Sequence, residues 1–397
     1  LASLLAPLDR ALVRGLGLPA RMLDAASLAR RGDAAALAAD DALAPLGLLL
    51  EEYRRHADLT LIGCIAARFD VTRLLRNHAA LAAREAREPD LLARPVTQPI
   101  VITGMPRSGT TFLHKLLAED PENRSPAVWE TVLPLPRNAA DTPAKRMATV
   151  SRQLAAFERM APGFRAVHPI DADSPQECTE ITAHVFRSFR FETTHHIPGY
   201  RAWLREADHA PAYRFHRRFL QHLQQSDGRA RRWVVKCPDH VFALDALREV
   251  YPDARVVMLH RDPVEVLASV AGLTAILRGP FTPVVDRAAV GRQVLADWVA
   301  GAEAMLHAET TRVFPPEQVL HLRFRDLTAA PMAAIEALYD RFGLPLEQGA
   351  RTRMQRRITE EPRGGYGGVT HRLEEYGIDP AAARAMFGDY AARFGVA

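Results

Sequence analysis

Cysteine is scarce. The 397 residues hold three, Cys64, Cys178 and Cys237, too widely spaced for a disulfide framework or a zinc site. That usage suits a reducing compartment, so a cytoplasmic location is the expectation. Long hydrophobic runs are missing too. No stretch approaches the about 18 apolar residues of a membrane span. The opening LASLLAPL is too short for a signal h-region and has no basic n-region. A soluble protein is expected. The charge excess is small, a net +4 with a pI near 9.1. That suits an anionic ligand, but the basic cluster RARRW at 229–233 stands in no nucleic-acid motif, so no nucleic-acid partner is expected. There are no internal repeats, no low-complexity tracts and no cluster with metal-ligand spacing, so no metal is expected. His195 and His196 are adjacent, so their side chains diverge on any regular element, and they read as surface or core.

What is present is ordinary for a globular chain: 48% apolar and 25% charged residues. The length exceeds that of a usual single domain, so one large domain with an extension, or two domains, is expected. Residues 1–95 are rich in Ala, Leu and Arg, with apolar positions at helical spacing, as in LGLLLEEYRRHADLTLIGCIAARF. They read as a helical N-terminal extension, closed by the proline-marked REPDLLARPVTQP. Residues 96–397 differ in texture. IVIT, WVVK (233–236), ARVVML (254–259) and QVLHLRF (318–324) are short apolar runs suited to strands buried on both faces. Helical patterns separate them, and a mostly helical insertion occupies about 130–230. The expectation is an α/β domain, a three-layer P-loop-type fold whose central parallel sheet is flanked by helices. The Gly-rich RGGYGG (363–368) reads as a loop.

The chemistry begins at PIVITGMPRSGTTFLHKLL, 99–117, a strand running into a glycine turn and a helix. It nearly spells the nucleotide-binding pattern GxxxxGK[ST]: Gly104 and Gly109 are correctly spaced and Thr111 fills the last place. The lysine is absent, and Thr110 stands there. Such a loop points backbone N–H groups and a helix dipole at an anion. Without the lysine, triphosphate chemistry loses its main clamp, whereas a shorter anionic tail still finds its cradle. Three strand candidates run directly into a turn and a helix, and Arg107, Lys236 and Arg261 fall just past their ends. In an open parallel sheet, ligands sit at the carboxyl ends of the strands. Three basic groups then converge on one crevice.

GMPRSGTT resembles the 5′-phosphosulfate-binding loop of sulfotransferases that use 3′-phosphoadenosine 5′-phosphosulfate (PAPS). WVVKCPDHVFALDALREVYPDARVVMLHRDPVEVLASV, 233–270, resembles that family's core block, and VLHLRFRDL (319–327) and HRLEEYGID (371–379) resemble later blocks. The resemblance implies sulfuryl transfer from PAPS to a hydroxyl (or amine) of a small-molecule or lipid-like acceptor, by in-line displacement. It implies that Arg107, Ser108, Gly109, Thr110 and Thr111 hold the phosphosulfate, and that Arg261 and Ser269 bind the 3′-phosphate. Asp262, Pro263 and Glu265 there look like an N-cap, N1 and N3 set. Lys236 matches the lysine that touches the bridging oxygen or sulfuryl group, and Arg107 stands where other branches carry lysine or arginine. For the base, two candidates stay open. Glu130 matches the catalytic glutamate of the tyrosylprotein branch, and His240 lies near the histidine of the cytosolic branch. Late basic residues, Arg363 or Arg372, are candidates for the 3′-phosphate. Ser174, Pro175 and Glu177 form a capping-box pattern, which reads Glu177 as structural. Cys237 departs from the serine common there. The alternatives are a P-loop kinase using ATP and Mg²⁺, and a non-catalytic nucleotide-binding protein. The acceptor's identity and the oligomeric state stay open.

Overall fold

The computed structural model describes residues 2–225, 230–361 and 371–396. Five strands make one all-parallel sheet: β1 (Ile100–Gly104), β2 (Asn123–Arg124), β3 (Arg232–Lys236), β4 (Arg255–His260) and β5 (Val319–Arg323), in the order β2-β3-β1-β4-β5. Four of them coincide with the valine- and leucine-rich runs. β2 is only two residues long and carries no such run.

Alternate side chains of each strand enter opposite layers. Ile100, Ile102, Val234, Val257 and Leu259 pack with α3 (Thr110–Leu117) and with helices Pro331–Arg341 and Gln348–Glu360. Val101, Val235, Val256 and Met258 point the other way. Both faces of the sheet are therefore covered, the condition under which a parallel sheet is stable.

The second layer is large. Residues 1–95 contribute α1 (Ala2–Gly15), four shorter helices and α2 (Leu61–Arg87), whose buried side chains, Leu46, Leu74 and Leu75 among them, share one apolar cluster with the strands. Thr60 caps α2 by accepting the Gly63 N–H at 2.9 Å. The 130–230 segment supplies α4 (Pro143–Met160), α5 (Cys178–Thr182) and α6 (Ala210–Gln224). After β4 come α7 (Pro263–Arg278) and α8 (Arg287–Thr311). Asp262 caps α7 through the Val264 N–H at 2.9 Å, with Pro263 at N1. Of the helix-start set, only Glu265 acts differently: its carboxylate turns to Arg261.

The carboxyl ends of β1 and β4 meet with almost no space between them. Gly104 has φ +121°, and a Cβ added there would lie 2.1 Å from the Leu259 carbonyl oxygen. The Met105 N–H bonds that same carbonyl at 3.1 Å. Glycine is thus required both by conformation and by contact. Gly104→Ala is expected to cost about 3 kcal/mol or more, or to prevent folding. Chemical denaturation measures it, and a wild-type midpoint would mean the two strand ends are not joined this way.

Candidate active site

The loop after β1 is shaped by two residues in the left-handed region. Gly109, at φ +90°, opens α3, and Arg107, at φ +59°, takes a conformation that costs a non-glycine residue energy. Ser108 is fully buried, and its hydroxyl donates to the Met105 carbonyl inside the turn. The first-turn N–H groups of α3 have no intrahelical partners and face the end of the sheet.

Arg107, Arg261 and Ser269 come together above that end. Arg107 Nε donates to Ser269 Oγ at 3.0 Å, and its Nη1 donates to the Val167 carbonyl at 2.9 Å. Arg261 Nη1 donates to the Arg107 carbonyl at 2.8 Å. The Arg261 guanidinium lies 4.1 Å from the Phe324 ring centroid and pairs with Glu265 at 2.9 Å. Backbone, ring and carboxylate hold it in one orientation.

Lys236 ends β3 with 1% of its surface exposed. Its ammonium donates to Thr111 Oγ1 at 3.1 Å and pairs with the Glu177 carboxylate. Glu177 and Lys236 also form a parallel bridge, which extends the sheet by one isolated residue pair. Burial alone would raise the Glu177 carboxyl. The Lys236 ammonium, with His168 behind it, outweighs burial and holds the group below the ordinary glutamate value. His168 is itself pushed down to about 4 by burial, against the pull of Glu177, and is neutral at pH 7. Asp239 is the opposite case: burial, reinforced by Glu177, raises it to about 7.

Glu177, His168 and Asp239 open onto a cavity of about 900 Å³, with Lys236 buried behind Glu177 and outside the lining. Arg107, Thr110, Thr111, Glu177, Arg261 and Ser269 line its polar end. Side chains such as Phe69, Leu154, Phe157, Phe164, Leu273 and Leu277 line an apolar arm.

The remaining expected residues lie elsewhere. Glu130 does not line the cavity. It sits in the first turn of helix Val128–Val132, accepts the Ala127 N–H at 2.9 Å and pairs with Arg124 at 2.9 Å. His240 is buried outside the cavity lining, its Nδ1 2.6 Å from the Tyr213 hydroxyl. Burial, with His216 and Lys236 nearby, holds its ring far below the ordinary histidine value. The Arg372 side chain is 73% exposed, 3.5 Å from Glu374, while the adjacent His371 lines the cavity. Arg363 lies outside the described residues, as does the RGGYGG loop. The capping-box reading of 174–177 does not hold. The helix begins at Cys178 with Glu177 as its N-cap residue, the Ser174 hydroxyl accepts the Asp171 N–H, and the Glu177 side chain is free to reach Lys236. Of the two histidines read as surface or core, His195 is buried against Tyr53 and His196 is exposed.

Residues 99–348 match the model of the sulfotransferase family. This chain belongs to that family. Curated relatives include the omega-hydroxy-beta-dihydromenaquinone-9 sulfotransferase Stf3 of Mycobacterium bovis and its Mycobacterium tuberculosis counterpart, each 27% identical over 255 residues. The match takes in 62% of this chain and 63% of those proteins, so it spans less than two thirds of their length. Among solved structures, sulfotransferase STF1 of M. tuberculosis superposes with a TM-score of 0.76 at 29% identity, covering 88% of this chain and 92% of that one. STF9 of Mycobacterium avium gives 0.78 at 27% identity, with 89% and 91% covered. The likeness thus includes the N-terminal helices as well as the sheet.

Glu130 offers a direct check of its placement. Glu130→Gln removes the partner of a buried guanidinium and is expected to cost about 1–3 kcal/mol of stability. Any thermal shift that 3′,5′-adenosine bisphosphate gives the wild type should survive in the variant. If the variant unfolds as wild type yet loses sulfate transfer, Glu130 acts in the chemistry.

Proposed function

We propose that this protein moves the sulfuryl group of PAPS to a hydroxyl of an apolar, lipid-like acceptor, with Glu177 as the base that takes the acceptor's proton. The observation that carries the reading is the Lys236 ammonium at the mouth of the 104–111 loop, bonded to Thr111 and paired with Glu177. In a loop built for ATP and Mg²⁺, the hydroxyl after the lysine holds the metal. Here that hydroxyl accepts a hydrogen bond from a lysine ammonium, so a fixed cation from the neighbouring strand stands where the metal's partner would be. This supports sulfuryl transfer over a kinase.

The residues fit the donor's two anionic ends. The first turn of α3, Thr110 and Thr111 suit the phosphosulfate, and Lys236 suits its bridging oxygen. Arg261 and Ser269, with Arg107 bound between them, suit the 3′-phosphate. PAPS supplies an activated sulfuryl group and a phosphate leaving group. Glu177 is ionised at neutral pH and faces the cavity beside Lys236. A hydroxyl lodged there forms its O–S bond as the bond to the leaving phosphate breaks, and its proton passes to Glu177. Lys236 offsets the charge growing on the phosphate, which is electrostatic stabilisation by a group already in place. The apolar arm accommodates a hydrophobic acceptor, and the mycobacterial relatives are named for a hydroxylated menaquinone derivative.

Glu177→Gln is expected to lower kcat by about 10²- to 10⁴-fold, while 3′,5′-adenosine bisphosphate still raises Tm by several degrees in chelator. Because the Glu177 carboxyl lies below its ordinary value, the acid limb of kcat/KM should lie below the ordinary glutamate range. Full turnover by the variant would remove Glu177 as the base. A thermal shift only with ATP and Mg²⁺ would replace this reading with the kinase.

A further inference from the structure

The first half of α2 is apolar on two faces. Cys64, Ala67, Val71 and Leu74 enter the core. Ile62, Ile65 and Phe69, at i, i+3 and i+7, form a second stripe on the outside, 50%, 52% and 57% exposed. A helix of a soluble protein normally keeps its outer face polar. The stripe is not isolated. Asp9, Arg10 and Arg14 of α1 reach Leu61 and Asp58 at the start of α2, and Leu12 and Leu16 in the same segment are exposed. The Thr282 hydroxyl donates to the Asp58 carbonyl, and Val284, two residues on, is exposed. Phe157 of α4 stacks on Phe281, whose carbonyl accepts the Thr60 N–H, and exposed Met160 is one turn beyond Phe157. Seven of the nine large exposed apolar side chains among the described residues thus belong to segments that meet at this one end of α2. Apolar patches gathered in this way mark contact surfaces.

Continuity with the cavity says what covers it. Phe69 belongs to both the outer stripe and the cavity wall, and Phe157 and Leu154 continue the apolar surface inward. Phe69, Phe157 and Leu154 therefore join the patch to the cavity, next to the paired charges Asp70, Arg73, Glu180 and Arg190 that also line its wall. Exposed Arg14 and Arg159 belong to these segments, and of the acids there Asp58 is paired with Arg10 and Arg14, Glu158 with Arg165, and Asp286 caps α8. Apolar side chains interleaved with arginines suit the headgroup region of an anionic bilayer.

We propose that this face is a lipid-docking surface, through which the protein rests on an anionic bilayer and draws an apolar acceptor into the cavity. The proposal rests on the lipid-like acceptor put forward above. No membrane span is involved: among the described residues no helix is long and apolar enough to cross.

Flotation with vesicles of phosphatidylcholine and phosphatidylglycerol tests it on the full chain. Wild type should float with the vesicles. The double variant Ile62→Glu/Ile65→Glu and, independently, Leu12→Glu should bind about tenfold more weakly or worse. Met386→Glu, an exposed apolar position off this face, should float as wild type. All variants should keep the wild-type Tm and the thermal shift with 3′,5′-adenosine bisphosphate. Wild type that stays with the soluble fraction overturns the proposal, as do variants that float undiminished. Light scattering on the same samples covers the rival occupant. If the double variant breaks a larger wild-type assembly into monomers, the face joins copies of this chain and the lipid reading fails. The bisphosphate shift is read separately, so loss of docking and loss of the nucleotide site are distinguishable.

Discussion

A lysine ammonium with 1% of its surface exposed fixes the rest of the site. An isolated buried cation costs several kcal/mol, so Lys236 is tolerated only with a carboxylate and hydrogen-bond acceptors in place. Thr111 and Glu177 supply them. Thr111 belongs to the helix that follows β1, and Glu177 to the helical insertion, so the demand of one buried charge ties two separate segments to the end of β3. Removing the carboxylate takes the counter-charge from a buried ammonium, which makes the pair a positioning device for the loop as much as a chemical group.

The location of that cation also explains the defective nucleotide motif. A P-loop carries its lysine on the loop itself, where it can reach outward along a triphosphate. Here the loop position is Thr110, 3% exposed and on the cavity wall, and the cation comes from the adjacent strand. β1 and β3 are neighbours in the sheet, in register at Ile102 and Lys236. A strand-borne ammonium is shorter in reach and more rigidly aimed than a loop-borne one. It serves a fixed bridging atom better than a long phosphate tail, and this is why the loss of one motif residue does not read as decay.

Much of this was legible in the sequence, for reasons that can be named. The strands could be read because burial on both faces forces a continuous apolar run, and the one strand without such a run, Asn123–Arg124, was missed. The loop could be read because its glycine spacing is a local signature: Gly104 and Gly109 both take positive φ. Asp262 and Pro263 announced a helix for the same reason. Glu177 was hidden because its partner is 59 residues away, and because Ser174 three residues earlier imitates a cap. Glu130 was hidden in the reverse sense. Its capping bond to Ala127 and its pairing with Arg124 are local facts, but family likeness drew attention to its carboxylate. Periodicity likewise identified the N-terminal helices without revealing that they share the sheet's own core.

The two halves of the cavity answer to different physics. At the polar end, what matters is backbone: strand ends, the first turn of α3, a left-handed Arg107 and a glycine with no room for a Cβ. Such features tolerate little change, since each is fixed by neighbouring main chain. At the apolar arm, what matters is side-chain volume on α2, α4 and α7, where hydrophobic swaps that conserve volume are cheap. Glu177 is the joint between them. It is the N-cap residue of a helix in the helical insertion, yet it is paired by backbone and by charge to the strand end. A scaffold divided in this way can reshape the apolar arm by repacking, while the carboxylate beside Lys236 and the loop after β1 stay where the sheet puts them.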